Sequence, residues 1–209
     1  MEEEKKGILI AIEGIDGTGK STQLRLLADY LRGNGCMVVE TREPTDGPYG
    51  RQIRKLYVNR DKYTLEEELD LFIEDRKQHV REVVAPALAA GAIVLTDRYY
   101  FSTAAYQGAA GMDPAEVFDK NNFAPRPDLV ILLTMSPAVS LMRIRDLRGD
   151  DLNDFEQEEQ LRKVAELFDS FQDPCIRRIS ADAPLESVEK QLRQTVDTLL
   201  RQKKYQCDP

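Results

Sequence analysis

The sequence predicts an α/β fold built on a parallel sheet, and three observations carry that expectation. Short, almost wholly apolar runs recur along the chain. Segments with apolar residues at helical spacing separate them. Glycine- or proline-containing breaks mark the boundaries between the two. Strands that alternate with helices in this way pair in parallel, because each crossover helix returns the chain to the same edge of the sheet.

The first run, residues 7–12, has no polar alternation and reads as a strand buried on both faces. A glycine-rich turn follows, and residues 21–31 place Leu24, Leu27, Ala28 and Leu31 on one helical face before Gly33-Asn34-Gly35 ends the helix. Met37-Val38-Val39 opens a second strand. The longest helical pattern spans residues 65–90, with a bend expected at Pro86. Residues 92–95 and 129–133 are two further buried strands, the latter introduced by Pro125-Arg126-Pro127-Asp128, and residues 175–179 are a weaker fifth. Residues 143–160, with Arg143, Arg145 and Arg148 followed by Asp- and Glu-rich sequence, offer few apolar anchors and read as a mobile surface loop between two helices. Repeats and low-complexity linkers are absent, so the 209 residues read as one domain.

Composition narrows the function classes. A formal net charge of -8 excludes a general nucleic-acid-polymer binder, which needs a basic surface to displace counterions. The first six residues lack the apolar run of a signal peptide, and no stretch approaches the ~20 apolar residues that span a bilayer. Three cysteines, Cys36, Cys175 and Cys207, without a CxxC, argue against a disulfide framework or a zinc site and for reduced thiols. A cytoplasmic protein without a membrane partner is expected.

The chemistry is concentrated in Gly14-Ile15-Asp16-Gly17-Thr18-Gly19-Lys20-Ser21, which fits G-x-x-x-x-G-K-[ST]. Its glycines permit the backbone to turn N–H groups inward, and the following helix offers its positive end to the same anion. Lys20 then reaches the β- and γ-phosphates of ATP, and Ser21 joins Asp97, which follows a buried strand, in holding Mg²⁺. The N-K-x-D motif that reads guanine is missing. The arginine-bearing segment near the end suits a lid, since transfer to a small acceptor has to exclude water.

Beyond the P-loop, which Glu13 opens and Thr22 extends, a series of blocks follows in order. They are Thr41-Arg42-Glu43-Pro44-Thr45, Gly50-Arg51-Gln52-Ile53-Arg54, Leu71-Phe72-Ile73-Glu74-Asp75-Arg76 and the long Asp97-Arg98-Tyr99-Tyr100-Phe101-Ser102-Thr103-Ala104-Ala105-Tyr106-Gln107-Gly108. Arg126-Pro127-Asp128-Leu129 opens the next strand. In these blocks, over almost its whole length, the chain resembles the thymidylate kinases. That resemblance implies a doubly wound parallel sheet of about five strands, a homodimer, a lid at about 143–159, and transfer from ATP·Mg²⁺ to thymidine monophosphate (dTMP). It implies that Phe72 stacks on thymine, Arg76 holds the base side, Arg54 and Arg98 grip the acceptor phosphate, and Thr103 and Gln107 meet the thymine edge. Tyr106 lines the sugar, Glu43 makes a polar contact to the sugar or phosphate, and Asp16 sits near the acceptor sugar and the metal. Arg143 and Arg145 match helix arginines that meet ATP.

The chain departs from the pattern twice. The family draws a catalytic arginine from the P-loop or the lid; this P-loop has none, and Asn153-Asp154-Phe155-Glu156 stands where relatives carry a lid arginine, leaving Arg148 as the nearest substitute. Glu74-Asp75 stands where relatives often have small residues at one or both positions, so these carboxylates either pair with arginines or bear on the acceptor. Two alternatives follow: a kinase for another acceptor, such as deoxyuridine monophosphate or a nucleoside, or a nucleotide-binding partner protein with little turnover. The lone His79 is expected to be solvated or to pack, and a cis bond before Pro44 would shape its turn.

Overall fold

A computed structural model describes residues 7–58, 62–148 and 154–207. Five strands, β1 (Ile8–Glu13), β2 (Val38–Arg42), β3 (Ile93–Asp97), β4 (Leu129–Thr134) and β5 (Ile176–Ser180), form one wholly parallel sheet in the order β2-β3-β1-β4-β5. The helices are α1 (Lys20–Gly33), α2 (Pro48–Val58), α3 (Leu65–His79), α4 (Ala85–Ala89), α5 (Tyr100–Ala109), α6 (Pro114–Lys120), α7 (Pro137–Arg148), α8 (Asp154–Ser170) and α9 (Leu185–Gln202).

The central strands are apolar because both of their faces are covered. Ile8, Ile10 and Ile12 of β1 pack with Leu24, Leu27 and Leu31 of α1 and with Val188 and Leu192 of α9. The alternate residues, Leu9 and Ala11, join Leu69 and Ile73 of α3, Phe101 and Ala104 of α5, and Val164 and Phe168 of α8. One strand thus feeds two cores, as a period-two strand between two helical layers must. The edge strands carry charge instead: Glu40 and Arg42 on β2, and Arg177 and Arg178 on β5, are exposed, which discourages pairing with another chain.

The long helical pattern around residues 65–90 is three pieces. Thr64 caps α3 with a reciprocal capping box to Glu67. Residues Val80–Val84 then widen into a π-turn in which Ala85 N–H reaches back to Val80 O, ahead of Pro86 at the start of α4. Proline supplies no N–H for the regular ladder, and the π-turn absorbs that loss.

Two expectations need correction. Residues 143–160 are not a loop throughout: α7 runs to Arg148 and α8 begins at Asp154, because Leu161, Val164 and Phe168 give α8 a buried stripe. Residues 149–153, and the side chains of Arg148 and Asp154, lie outside the described residues. The cysteines are not all reduced. Cys36, after α1, and Cys207, beyond α9, form a disulfide with a Cα–Cα distance of 4.4 Å, while Cys175 is free. The fold brings together two residues 171 positions apart, a proximity invisible to sequence spacing.

Candidate active site

The register fixes the site. Ile12 of β1 lies opposite Asp97 of β3, so the loop after β1 and the turn after β3 leave the sheet side by side at its carboxyl edge. Ligands of open α/β sheets bind at that edge.

The P-loop backbone requires its glycines. Gly14 has φ 137° and a Cβ there would sit 2.4 Å from Leu133 O; Gly17 has φ 79° and a Cβ there would meet Ser140 O at 2.7 Å. Gly19 precedes α1 without any side-chain cap, which leaves the first helical N–H groups available to an anion. Ser140 of α7 braces the loop by donating to Asp16 O, and Thr18 donates to Ile15 O at 2.9 Å. Lys20 is buried and its Nζ donates to Ile15 O at 2.8 Å. Burial, and next the nearby Arg98 charge, lower its pKa to about 8, against the pull of Asp16, Asp97 and Glu13. Ser21, at the start of α1, donates its hydroxyl to the Asp97 carboxylate. The two residues expected to hold a metal therefore adjoin one another, and hydroxyl and carboxylate oxygens are the donor type that Mg²⁺ takes.

Beside this loop opens a cleft of about 410 Å³. Eight residues singled out in the sequence line it: Asp16, Glu43, Phe72, Arg76, Arg98, Thr103, Tyr106 and Gln107. Arg98 sits at the end nearest the P-loop, with its backbone in the left-handed region at φ 71°. Its N–H donates to Ile12 O at 3.0 Å and its carbonyl accepts from Thr96 Oγ1 at 2.7 Å, so both neighbours hold the strained turn. The guanidinium donates to Asp16 at 2.6 Å, Ser102 at 2.8 Å and Tyr106 at 3.2 Å, and lies over the Tyr106 ring. Lost hydration opposes its charge, but Tyr106, Asp16 and Glu13 outweigh that and raise its pKa.

At the far end Arg76 is buried in a polar network. It donates to Glu43, to Thr103 Oγ1 at 2.9 Å and to Asn121. Glu43 also meets His79 Nδ1 at 2.9 Å, and His79 Nε2 meets Thr41 Oγ1 at 2.6 Å. Burial alone would raise the Glu43 carboxyl, yet Arg76 and His79 hold it below the ordinary carboxylate range. Two residues that line the cleft each carry a buried polar atom, Gln107 Oε1 and the Tyr99 hydroxyl, with no hydrogen-bond partner among the described residues. Such atoms are costly unless a ligand satisfies them.

Several expectations are revised. Of the two alternatives for His79, packing holds and solvation does not: it is 2% exposed and hydrogen-bonded at both ring nitrogens. Arg54 does not line the cleft and donates to Pro44 O at 3.4 Å, Thr45 O at 2.8 Å and Asp46 at 3.1 Å. Asp75 is buried and caps the 43–47 loop, accepting from Thr45 N at 2.8 Å and Thr45 Oγ1 at 2.6 Å; Glu74 pairs with Lys77 at 2.7 Å. Neither carboxylate lines the cleft. The Glu43–Pro44 bond is cis, as foreseen. Arg143 donates to Ala181 O at 3.1 Å on the P-loop side, and Arg145 is exposed two residues further along α7. Sequence reasoning assigned no role to Glu13, Ser102, Ser140 or Asn121. Ser102 and Glu13 stand in the matching blocks, and Glu13 is also a charged residue ending a buried strand.

A P-loop at the edge of a parallel sheet, a hydroxyl–carboxylate pair for a metal, and a facing cleft with cationic and base-sized contacts define an ATP-dependent nucleoside monophosphate kinase. The family model described as thymidylate kinase matches residues 12–192. A protein of Desulfotalea psychrophila named thymidylate kinase is 49% identical over 195 residues, 93% of this chain and 96% of its own. Proteins of the same name from Xanthomonas campestris pv. campestris and Xylella fastidiosa are 45% and 44% identical, over 91% and 87% of this chain and 83% of theirs. The chain belongs to the thymidylate kinase family.

Proposed function

We propose that the protein transfers the γ-phosphoryl group of ATP to dTMP, giving dTDP and ADP. One observation carries the acceptor assignment. The cleft beside the P-loop is lined by Arg98 and Tyr106, which contact each other and Asp16 of that loop, and by Arg76 and Thr103, which are hydrogen-bonded to one another, with Phe72 and Gln107 on the same lining. A nucleotide is charged at one end and hydrogen-bonding at the other, and the cleft has that polarity. Thymine N3–H needs an acceptor and its carbonyls need donors; Gln107 Oε1, without a partner, and the Thr103 hydroxyl suit them. The position of Asp75 and Glu74 outside the cleft supports a monophosphate acceptor, since neither places a carboxylate against it.

The reaction needs alignment and charge neutralisation more than covalent chemistry. Lys20 and the P-loop N–H groups bind the donor phosphates. Arg98 holds the acceptor phosphate, whose own anionic oxygen is the nucleophile, so no general base is required. Asp16 orients Arg98 from the P-loop side and lies by the acceptor sugar. Ser21 and Asp97 would hold Mg²⁺, which would supply neutralisation of the phosphate charge. Arg143 and Arg145 belong to the ATP side, Arg54 reaches the acceptor phosphate only after rotating from Thr45, and Arg148 is the candidate lid arginine. A lid over about 143–159, a homodimer and a cytoplasmic location belong to the same proposal, on family membership.

An acceptor panel tests it. ATP-dependent ADP release should be fastest with dTMP, slower with deoxyuridine monophosphate and negligible with nucleosides. Preference for another monophosphate would discard the acceptor; nucleotide binding without turnover would discard the reaction.

A further inference from the structure

We propose that Glu13 is a positioning residue that sets Arg98 in place from beneath the acceptor site. Glu13 is the last residue of β1, immediately before the P-loop, and is fully buried. Its carboxylate does not enter the cleft. One oxygen accepts from Tyr99 N at 2.8 Å and Ser102 N at 3.2 Å, and the other accepts from the Ser102 hydroxyl. Tyr99, at the N-cap of α5, provides no side-chain cap of its own, so a residue of another element caps this helix. The same Ser102 oxygen accepts from Arg98 Nη1 at 2.8 Å. A continuous relay therefore runs from Glu13 through Ser102 to Arg98, whose backbone is strained at φ 71°.

The direction of these hydrogen bonds makes the carboxylate specific. With Glu13 ionised, above pH about 7, the Ser102 hydroxyl gives its single proton to the carboxylate, which leaves its lone pairs to Arg98. An amide at residue 13 could still accept from the two backbone N–H groups. Its NH₂ would then point at Ser102 and compete with Arg98 for the same oxygen. Glu13→Gln thus keeps the shape and reverses one hydrogen bond. The cost of a buried carboxylate, whose pKa burial raises to about 7, is consistent with a role beyond packing.

The inference rests on Arg98 holding the acceptor phosphate, and a double-mutant cycle separates the two claims. Glu13→Gln should lower kcat/KM for dTMP by on the order of tenfold to a hundredfold, the scale of a misplaced site group, with KM for ATP nearly unchanged. In an Arg98→Ala background the same substitution should change little, because the residue it positions is gone. Ser102→Ala, which leaves both backbone bonds to Glu13 intact, should reproduce the loss and carries the test if Glu13→Gln does not fold. Equal losses in both backgrounds, or full activity of Glu13→Gln and Ser102→Ala, would overturn the positioning role. Full turnover by Arg98→Ala would instead overturn the reading of Arg98.

Discussion

Arg76 donates from Nε and Nη2 to the same oxygen of Glu43, at 2.8 and 2.6 Å, with both side chains almost completely buried. A guanidinium in such a place is tolerable only when its donors are matched. Asn121 and Thr103 take one N–H each of those Glu43 leaves, and His79 holds the other Glu43 oxygen. The acceptor end of the cleft is therefore a preassembled network.

Glu43→Ala strands the Arg76 charge. Removing one partner of a buried ion pair destabilises by about 3–5 kcal/mol, so the variant should unfold at markedly lower urea concentration. The KM for dTMP should rise as Arg76 loses its orientation. A urea midpoint equal to that of the parent chain would contradict the network's role.

The buried Glu13 carboxyl gives stability a pH slope. Its folded pKa is about 7 against an ordinary 4.5, under burial opposed by Ser102, Arg98 and the Tyr99 N–H. The unfolded chain loses this proton first as pH rises, so the folded state holds the extra proton between those values. The contribution is fully present below pH 4.5, and is lost as pH rises through 7. Urea titrations from pH 4 to 8 on the parent and on Glu13→Gln should show this decline in the parent only. Parallel curves would show that Glu13 titrates normally.

Gly17→Ala should disable the P-loop. The added Cβ would stand 2.7 Å from the Ser140 carbonyl and 3.2 Å from Ile144, on a backbone at φ 79°. Left-handed geometry alone costs about 1–2 kcal/mol per residue, and the α7 contact must also give. Loss of ATP binding with the fold retained, seen by titration and circular dichroism, is the expected outcome.

The Cys36–Cys207 disulfide ties the C-terminal segment to the end of α1, away from the cleft. Without reductant, thiol counting should find only Cys175 reactive after unfolding. Cys36→Ser should lower stability by about 2–4 kcal/mol while leaving dTMP turnover unchanged. A chain with three free thiols would contradict the pairing.

The sequence made the sheet legible because β1, β3 and β4 are buried on both faces and so lack polar alternation. It made the phosphate side legible because backbone geometry there demands glycine at fixed spacing. Long-range pairings were not legible. For His79 the charged helix left solvation and packing both open, and the partners that decide it, Thr41 and Glu43, reach it from β2 and the loop beyond. Asp75 is expected to pair with arginines or to bear on the acceptor, but α3 turns it onto Thr45. Arg54 likewise lies in a matching block while its side chain is held by the 44–46 carbonyls and Asp46. In each case the deciding partner lies 30 or more positions away, or on a loop whose path local patterns do not define.

The most direct test follows the phosphoryl group itself. Incubated with γ-labelled ATP, Mg²⁺ and dTMP, the protein should place the label in the β-position of dTDP, and Lys20→Ala should reduce that transfer by about a hundredfold. Label appearing in inorganic phosphate, or transfer that Lys20→Ala leaves intact, would contradict the account.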